Sequence, residues 1–318
     1  MARNELSWSL SKARIFEECP RRFYYQYYFS QVGYAPDAPE EARLALEMKR
    51  IKGLDMWVGE VVHQTIQWAL EQIHLGKTPT KDAAIAETRR LLSEGWRCSK
   101  LELWRKQPDD RHPTLFEHYY GVEVGPAATD RLKNKAFTSM GNFMDSEVLK
   151  RITGCTTDCW LPIEKFAGFR MNGILFFIKF DFALKDGMNL TVYDWKTGKP
   201  SREESRQLAC YALYTSSKWG VPLQDVRVCA VHLQPEIEAC ERCVEESDIE
   251  EAQAFVKQSF NAMVKCLHNP VRNIAVMEDF PMSGNLLRCA RCNFKGICEQ
   301  GTFAQSEEPP PIEELEET

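Results

Sequence analysis

The stretch FDFALKDGMNLTVYDWKTGK, residues 180–199, decides the fold class of this 318-residue chain. Two runs rich in aromatic and β-branched residues flank a short polar segment with a glycine, which is the pattern of a β-hairpin. If residues 186–189 form a four-residue loop, Lys185 pairs with Leu190 and the register of both strands follows. The stretch therefore predicts an antiparallel pair of strands.

This register brings three reactive side chains together. Asp181 lies opposite Asp194, and Lys196 shares the face of Asp194 because side chains on a strand repeat their direction every two residues. Two facing carboxylates repel each other unless a cation lies between them, and hard oxygen ligands suit Mg²⁺ or Mn²⁺. A neighbouring lysine can orient a water or stabilise charge on a phosphate. The set fits phosphodiester hydrolysis, with a surface ion pair on a hairpin as the alternative.

The rest of the chain predicts helices around a β-rich middle. Residues 161–199 carry strand patterns separated by Gly, Asn and Asp, and two further strands follow a helix at about 203–219. Residues from about 80 to 158 are helical in pattern and look like an inserted group of helices. We therefore expect one α/β domain over residues 1–304 with a helical insertion.

Two of the expected helices carry polar residues that can join the site. The segment LDMWVGEVVHQTIQWALEQIHLG, residues 54–76, is amphipathic, and His63 lies beside its apolar stripe. A lone histidine in such a helix is more often structural than functional. On the helix after the DWK strand, Gln207 and Tyr211 are four residues apart and share a face.

The N-terminal segment SWSLSKARIFEECPRRFYYQYYF predicts two short helices. Ser9 or Ser11 can cap the first helix. Pro20 disfavours helical geometry at Cys19 and suits the first turn of the second helix.

Three of the twelve cysteines are close together near the end of the chain, where Cys289, Cys292 and Cys298 are spaced C-x2-C-x5-C. Thiolates with this spacing are typical of metal or cluster ligands, but a closed zinc site or a cubane needs four. Two further pairs have no obvious partner pair, and we interpret them as packing residues: Cys155 with Cys159, and Cys240 with Cys243.

Composition restricts the class of protein and its compartment. The net charge is −6, and residues 306–318, SEEPPPIEELEET, hold six glutamates and no basic residue, so the remainder is neutral. We expect residues 305–318 to be a disordered acidic tail. The sequence shows no signal peptide or membrane span, so we expect a cytoplasmic protein, in which a disulfide framework would be unusual.

Because the chain without its acidic tail is neutral overall, binding of nucleic acid requires basic residues that are clustered in one region. One segment mixes aromatic and basic side chains that can stack on bases and hold the phosphates of single strands. Its candidates are Trp96, Arg97, Lys100, Trp104, Arg105, Lys106 and Arg111. An amphipathic helix with core tryptophans explains the same pattern.

Six motifs, in this order along the chain, resemble one family: SWSLSKARIFEECPRRFYY, GEVVH, IKFDFAL, YDWKTGK, QLACYALY and CARCNFKGIC. Together they resemble the RecB-like branch of the PD-(D/E)XK nuclease superfamily. Within that branch they resemble the iron–sulfur nucleases, namely the CRISPR-associated adaptation nucleases, the AddB nuclease domain and the exonuclease V type. The resemblance does not cover residues 80–158. It implies a restriction-endonuclease-like core, a mixed central sheet flanked by helices.

The resemblance also implies roles for site residues. It implies that His63, Asp181 and Asp194 are catalytic and bind Mg²⁺ or Mn²⁺, with the backbone carbonyl of Trp195 as a further ligand. Lys196 would assist the attacking water. A further motif of the family, Q-x3-Y, helps to hold DNA or the active site and matches Gln207 and Tyr211.

The fourth cluster ligand follows from the same resemblance. It implies a [4Fe–4S] cluster held by Cys19, Cys289, Cys292 and Cys298, which would join the N-terminal and C-terminal segments as a clasp. Four thiolates also suit Zn²⁺.

The chain departs from the family pattern near the first aspartate. Many relatives read G-x-x-D-R there, whereas Ile178 and Phe182 stand at the glycine and arginine positions of this chain. This change removes no metal ligand, so activity is still expected. Glu164 matches a frequent acidic position of the family.

The activity implied is that of a metal-dependent DNA nuclease, with exonuclease action on single-stranded DNA or DNA ends. Recombination, repair, CRISPR adaptation and phage DNA processing are possible settings. The chain has no G-x4-G-K-[ST] motif, so unwinding would require a helicase or another CRISPR or recombination partner. The alternatives are a non-catalytic DNA-binding or assembly subunit with a nuclease-like fold, and an iron–sulfur redox sensor.

Overall fold

The computed structural model describes residues 5–106, 112–161, 167–299 and 301, and these divide into two compact units. The central unit spans residues 52–256. The terminal unit combines the described residues up to 51 with those from 257 onward. The first and the last described segments therefore belong to one unit, and each unit is described separately below.

The chain is mostly helical, with strands concentrated between residues 167 and 243. The α-helices, in chain order, are α1 (Leu10–Glu18), α2 (Pro20–Tyr24), α3 (Ser30–Val32), α4 (Glu40–Met48), α5 (Leu54–His74), α6 (Lys81–Lys100), α7 (Phe116–Tyr119), α8 (Pro126–Met144), α9 (Glu147–Gly154), α10 (Arg202–Trp219), α11 (Glu246–Lys265) and α12 (Leu286–Ala290). The strands are β1 (Ser7–Trp8), β2 (Ile51–Lys52), β3 (Thr114–Leu115), β4 (Ala167–Met171), β5 (Ile174–Ile178), β6 (Phe182–Asp186), β7 (Asn189–Lys196), β8 (Val226–His232) and β9 (Glu238–Cys243). A π-helical turn covers Tyr25–Phe29, and 3₁₀ turns cover Leu103–Arg105, Thr157–Cys159, Leu223–Asp225 and Met277–Asp279.

A four-stranded mixed sheet forms the middle of the central unit, in the order β6-β7-β8-β9. Strands β6 and β7 are antiparallel, β7 and β8 are parallel, and β8 and β9 are antiparallel. The parallel pair requires a crossover, and α10 supplies it between β7 and β8. Lys185 pairs with Leu190, so the register predicted from the four-residue loop is confirmed.

Strand β7 alternates its side chains as the sequence predicts. Asp194 and Lys196 point towards α10, where they contact Gln207. Trp195 points to the opposite face, with its ring 5.2 Å from the ring of Phe143 on α8. The strand therefore separates a polar face from a packed apolar face.

A second hairpin precedes the sheet. Strands β4 and β5 pair antiparallel, and Met171 is opposite Ile174. The two-residue loop consists of Asn172 at φ 50° and Gly173 at φ 81°, which is the Asn-Gly chemistry of a tight hairpin turn. Phe169 on β4 packs against Tyr214 on α10, with ring centroids 5.1 Å apart.

The apolar stripe of α5 is the centre of the main hydrophobic core. Val58, Val62 and Ile66 are almost completely buried, and each contributes about 1.5–3 kcal/mol by leaving water. Residues of α6, α8 and α9 join the same core as α5 and the inner face of the sheet. The helices between residues 80 and 158 are thus part of one core, and their status as an insertion in the family fold stays a prediction.

The terminal unit is held together by hydrogen bonds between the two ends of the chain. Ser9 caps α1 by accepting from the Lys12 N–H, and Pro20 begins α2, as predicted. The Arg21 N–H donates to the Pro281 carbonyl at 3.1 Å. Asn293 Nδ2 donates to the Met48 carbonyl at 2.9 Å.

Aromatic packing reinforces these hydrogen bonds. The rings of Phe23 and Phe280 are stacked 6.3 Å apart, and those of Tyr25 and Phe294 are stacked 5.4 Å apart. Trp8 is fully buried and donates through Nε1 to Ser259 Oγ at 3.0 Å.

One packing prediction is wrong. Cys240 and Cys243 are exposed, because β9 is an edge strand whose outer positions meet solvent. Cys155 and Cys159 do pack against the core. Glu164, Arg111 and the acidic tail at 305–318 lie outside the described residues. Of the helices in the described part of the chain, none combines the length and the apolar character needed to cross a membrane.

Candidate active site

Asp181 and His63 meet at one edge of the central unit. Asp181 directly precedes β6, and its Oδ2 accepts a 2.8 Å hydrogen bond from the backbone N–H of Trp195. Its Oδ1 lies 2.9 Å from His63 Nδ1 on α5. The His63 side chain keeps 35% of its surface exposed, so the pair opens to solvent. The two residues are 118 positions apart in the sequence, and the packing of α5 brings them together.

Asp194 is the buried member of the site, with a relative exposure of 3%. Its Oδ2 forms an ion pair with the Lys196 ammonium and accepts no hydrogen bond of regular geometry from the described residues. Its Oδ1 accepts from the Tyr211 hydroxyl at 3.2 Å and from Gln207 Nε2 at 3.4 Å. Three side chains therefore fix this carboxylate.

Gln207 connects the parts of this group. Its Oε1 accepts from the Lys196 ammonium at 2.6 Å, while its Nε2 also donates to the Tyr211 hydroxyl. Gln207 and Tyr211 are one helical turn apart on α10, so one face of the helix serves both strand residues.

The electrostatics of the two aspartates differ. Burial raises the pKa of Asp194 to about 6, with a further increase from Asp181 and partial opposition from Lys196. Burial acts in the same direction on Asp181, but the imidazolium of His63 and the Trp195 N–H outweigh it and lower the pKa. Burial disfavours protonation of His63, yet the Asp181 carboxylate outweighs it and raises the pKa of the imidazole. Each carboxylate thus has a cation of its own.

The donor atoms suit a hard divalent cation. The two carboxylates match the oxygen ligands of Mg²⁺ and Mn²⁺, and the imidazole adds a nitrogen donor that is more typical of other transition metals. Among the described residues, no three His, Cys, Asp or Glu side chains are arranged around a common point as for a metal ion. In their place, His63 and Lys196 neutralise the two carboxylates directly. A divalent cation fits this donor set by replacing those internal ion pairs.

The four predicted cluster cysteines line one small cavity of the terminal unit. Cys19, Cys289, Cys292 and Cys298 all contribute to its wall. Two of the sulfurs accept backbone hydrogen bonds: Cys19 Sγ from the Arg22 N–H and Cys292 Sγ from the Phe294 N–H, both at 3.4 Å.

Two of these thiols, Cys289 and Cys292, have a raised pKa. Burial raises the pKa of Cys292 to about 11, and nearby Cys19 and Cys298 add to the rise while the Phe294 N–H opposes it. Burial, with the same two neighbours, also raises the pKa of Cys289. The cavity holds only ≈ 20 Å³, so its walls would have to separate to admit a cluster. Four thiols are the donor types that an iron–sulfur cluster or Zn²⁺ uses, but these four are not arranged around a common point as for a metal ion.

The other predicted positions fall in different environments. The Trp195 side chain is buried in the core, and a role for its carbonyl as a metal ligand stays a prediction. Trp104 is 5% exposed, so it is a core residue and is not available to stack on bases. Trp96 packs against the core and against the ring of His118. The alternative interpretation of that segment, an amphipathic helix with core tryptophans, is therefore correct for Trp96 on α6, and Trp104 is a core residue of the 3₁₀ turn after that helix.

Two features near the site were not predicted. Gly59 lies one turn before His63 on α5, and a Cβ at this position would lie 3.0 Å from Thr197 Oγ1. His232 pairs with Lys196 across β7 and β8, and its Nε2 lies 3.2 Å from a carboxylate oxygen of Glu204 on α10. The four-residue spacing from Gly59 to His63 places both on one face of α5 and could have indicated the role of the glycine. The position of His232 depends on the pairing of two strands that are distant in sequence.

The mixed sheet and the site define an α/β protein that presents two aspartates and a lysine at neighbouring strands, in the manner of metal-dependent nucleases. A scan against protein-family models matches residues 7–299 to the PD-(D/E)XK nuclease superfamily. The chain belongs to this superfamily, whose members generally use Mg²⁺ or Mn²⁺. A search of curated proteins found no match.

Proposed function

We propose that the protein is a Mg²⁺- or Mn²⁺-dependent deoxyribonuclease of the RecB-like iron–sulfur branch, acting as an exonuclease on single-stranded DNA or DNA ends. The strongest support is the meeting of Asp181, Asp194 and Lys196, which come from neighbouring strand positions, with His63 from α5. Superfamily membership supports the same class of reaction.

The roles of the side chains follow from their contacts. A bound divalent cation would supply positive charge against the phosphate and make a water more acidic. Asp181, Asp194 and His63 would hold it, and the Trp195 carbonyl is the proposed additional ligand. Lys196, freed from Asp194, would donate a hydrogen bond to the attacking water or to a phosphate oxygen.

Gln207 and Tyr211 act on the orientation of these groups. Their hydrogen bonds to Asp194 Oδ1 fix the rotation of the carboxylate, and Gln207 Oε1 fixes the Lys196 ammonium. Prepositioning of this kind lowers the reorganisation needed when charge develops during the reaction.

The four-cysteine cavity is proposed to hold a [4Fe–4S] cluster with a structural role. Support comes from the convergence of one N-terminal and three C-terminal thiols in one cavity.

A cleavage assay with a matched substitution tests the nuclease. End-labelled single-stranded, duplex and circular DNA are incubated with Mg²⁺ or Mn²⁺ and with wild type, Asp194→Asn, Lys196→Gln or Asp186→Asn. We expect cutting of linear single strands by wild type and a loss of about 100-fold or more in kcat for the first two variants. Asp186 is an exposed hairpin residue, so its variant should cut like wild type.

Two results would argue against the proposal. Equal cutting by Asp194→Asn would show that the activity belongs to another group or another protein. DNA that is bound but left uncut with every divalent ion would instead favour a non-catalytic DNA-binding subunit. Mn²⁺ binding, measured by calorimetry, should weaken in Asp194→Asn and persist in Lys196→Gln.

A further inference from the structure

A cleft of ≈ 460 Å³ opens beside His63 and Asp181 in the central unit. One wall is the face of α5 that carries Glu60, His63 and Gln64. The other wall is the segment from Lys179 to Asp181, which connects β5 to β6. A strand of nucleic acid that brought a phosphate to Asp181 through this cleft would pass along these walls.

Most charged residues of the cleft already have partners. Lys52 pairs with Glu60 at 2.6 Å. Asp55 pairs with Arg131 at 3.3 Å and with Lys135 at 3.4 Å. These pairs leave little net charge to attract or repel an anionic strand.

Lys179 differs from these residues. Its side chain is exposed. The structure shows no ion pair or hydrogen bond between Lys179 and any other described residue, whereas the other charged residues described in the cleft wall each have a partner. It precedes Asp181 by two positions and shares the cleft with it, while the intervening Phe180 is buried against Tyr211 and Trp219. Burial of Phe180 fixes the backbone from which the lysine projects.

We propose that Lys179 binds a phosphodiester of the substrate strand next to the one that reaches Asp181. An ammonium that has no partner among the described residues and sits on a flexible stem suits contact with a phosphate as a point charge. It would offset the repulsion between a polyanion and the carboxylate two residues away. The inference rests on the proposed nuclease function and assigns the binding of substrate to a particular residue.

Binding measured without cleavage tests this role. Fluorescence anisotropy of a labelled single-stranded oligonucleotide in EDTA gives the dissociation constant across a range of salt concentrations. Because Lys179→Gln loses one phosphate contact, this variant should bind DNA more weakly than wild type, to a similar degree for all sequences. The slope of log K against log salt should become smaller by about 0.7. Lys179→Arg, which keeps the charge, should retain the wild-type slope.

Lys185 offers a matched control. It is an exposed lysine on β6, outside the cleft, and it also has no partner among the described residues. Lys185→Gln removes the same charge and should keep the wild-type slope. An unchanged slope in Lys179→Gln, or an equal loss in Lys185→Gln, would overturn the inference.

Kinetics separate this inference from the proposed function. If the wild-type protein cleaves DNA, the Lys179→Gln variant should have a higher KM and a similar kcat. The reason is that the contact with the phosphate is present in the bound substrate as well as in the transition state. A fall in kcat at constant KM would overturn the binding role. If wild type does not cut but the salt slope depends on Lys179, only the nuclease proposal fails.

Discussion

At the scale of residues, each aspartate of the site is paired with a different cationic side chain. His63 faces Asp181, and Lys196 faces Asp194. The lysine was predictable because it shares a strand with its partner at a spacing of two. The His63–Asp181 contact was not predictable from spacing, since it depends on how α5 packs beside the sheet.

The His63–Asp181 pair predicts a pH effect on stability in EDTA. The pKa of His63 is raised in the folded state, so protonation favours folding. This contribution is complete below the unfolded value of about 6.5 and is lost as pH rises through the raised pKa. Between pH 6 and 9, the free energy of unfolding should therefore fall more for wild type than for His63→Gln, as measured by urea denaturation.

Asp194 changes the free energy of unfolding in a different pH range, so its effect can be separated from that of the His63–Asp181 pair. Its folded pKa of about 6 is above the ordinary 3.8, so its ionisation opposes folding and stability falls as pH rises through about 4 to 6. Parallel curves for wild type and His63→Gln above pH 6.5 would contradict the assigned role of the histidine pair.

At the scale of elements, the close contact between α5 and α6 depends on a glycine, which has no side chain. Gly95 on α6 lies against the buried ring of Trp57 on α5, and a Cβ there would come within 2.5 Å of the ring. Gly95→Ala should therefore destabilise the protein by about 1–3 kcal/mol despite the better helix propensity of alanine.

A second helical glycine provides the control for this prediction. Gly154 ends α9 with open space where a Cβ would be, so Gly154→Ala should be neutral or slightly stabilising. Thermal unfolding compares the two variants. Equal stability of Gly95→Ala and wild type would show that α6 can shift away from α5 at no cost.

The elements were largely predictable where the sequence is periodic. The stripe of α5, the hairpin of β6 and β7, and the break at Pro20 follow from local patterns, and the structure confirms them. The exposure of Cys240 was not predictable, because the position of β9 at the edge of the sheet follows from strand order and not from the strand itself.

At the scale of the whole molecule, the described residues up to 51 and those from 257 onward meet in one unit. The proposed cluster would add covalent ligation to the contacts of this unit. We expect Cys19→Ser to lose the visible absorption and the bound iron of wild type. We also expect it to lower the free energy of unfolding by more than about 4 kcal/mol, since loss of a metal site is one of the few causes of effects that large.

Cys266 is the matched control for the cluster. It lies in the terminal unit but not in the wall of the four-cysteine cavity. Cys266→Ser should keep the iron content of wild type, measured by elemental analysis. Zinc in place of iron, or full iron content in Cys19→Ser, would contradict the proposed cluster.

The internal ion pairs of the site have a consequence for metal supply in the cell. Lys196 and His63 already neutralise the carboxylates, so a divalent ion must displace these ion pairs when it binds. The net free energy of metal binding is therefore smaller than the free energy of the metal–ligand interactions by the free energy of the displaced pairs. Occupancy should then be incomplete and readily exchanged, following the free ion concentration rather than irreversible loading during synthesis. Such a protein would be dormant in a magnesium-poor medium and would resume cutting when the ion returned, with no refolding needed.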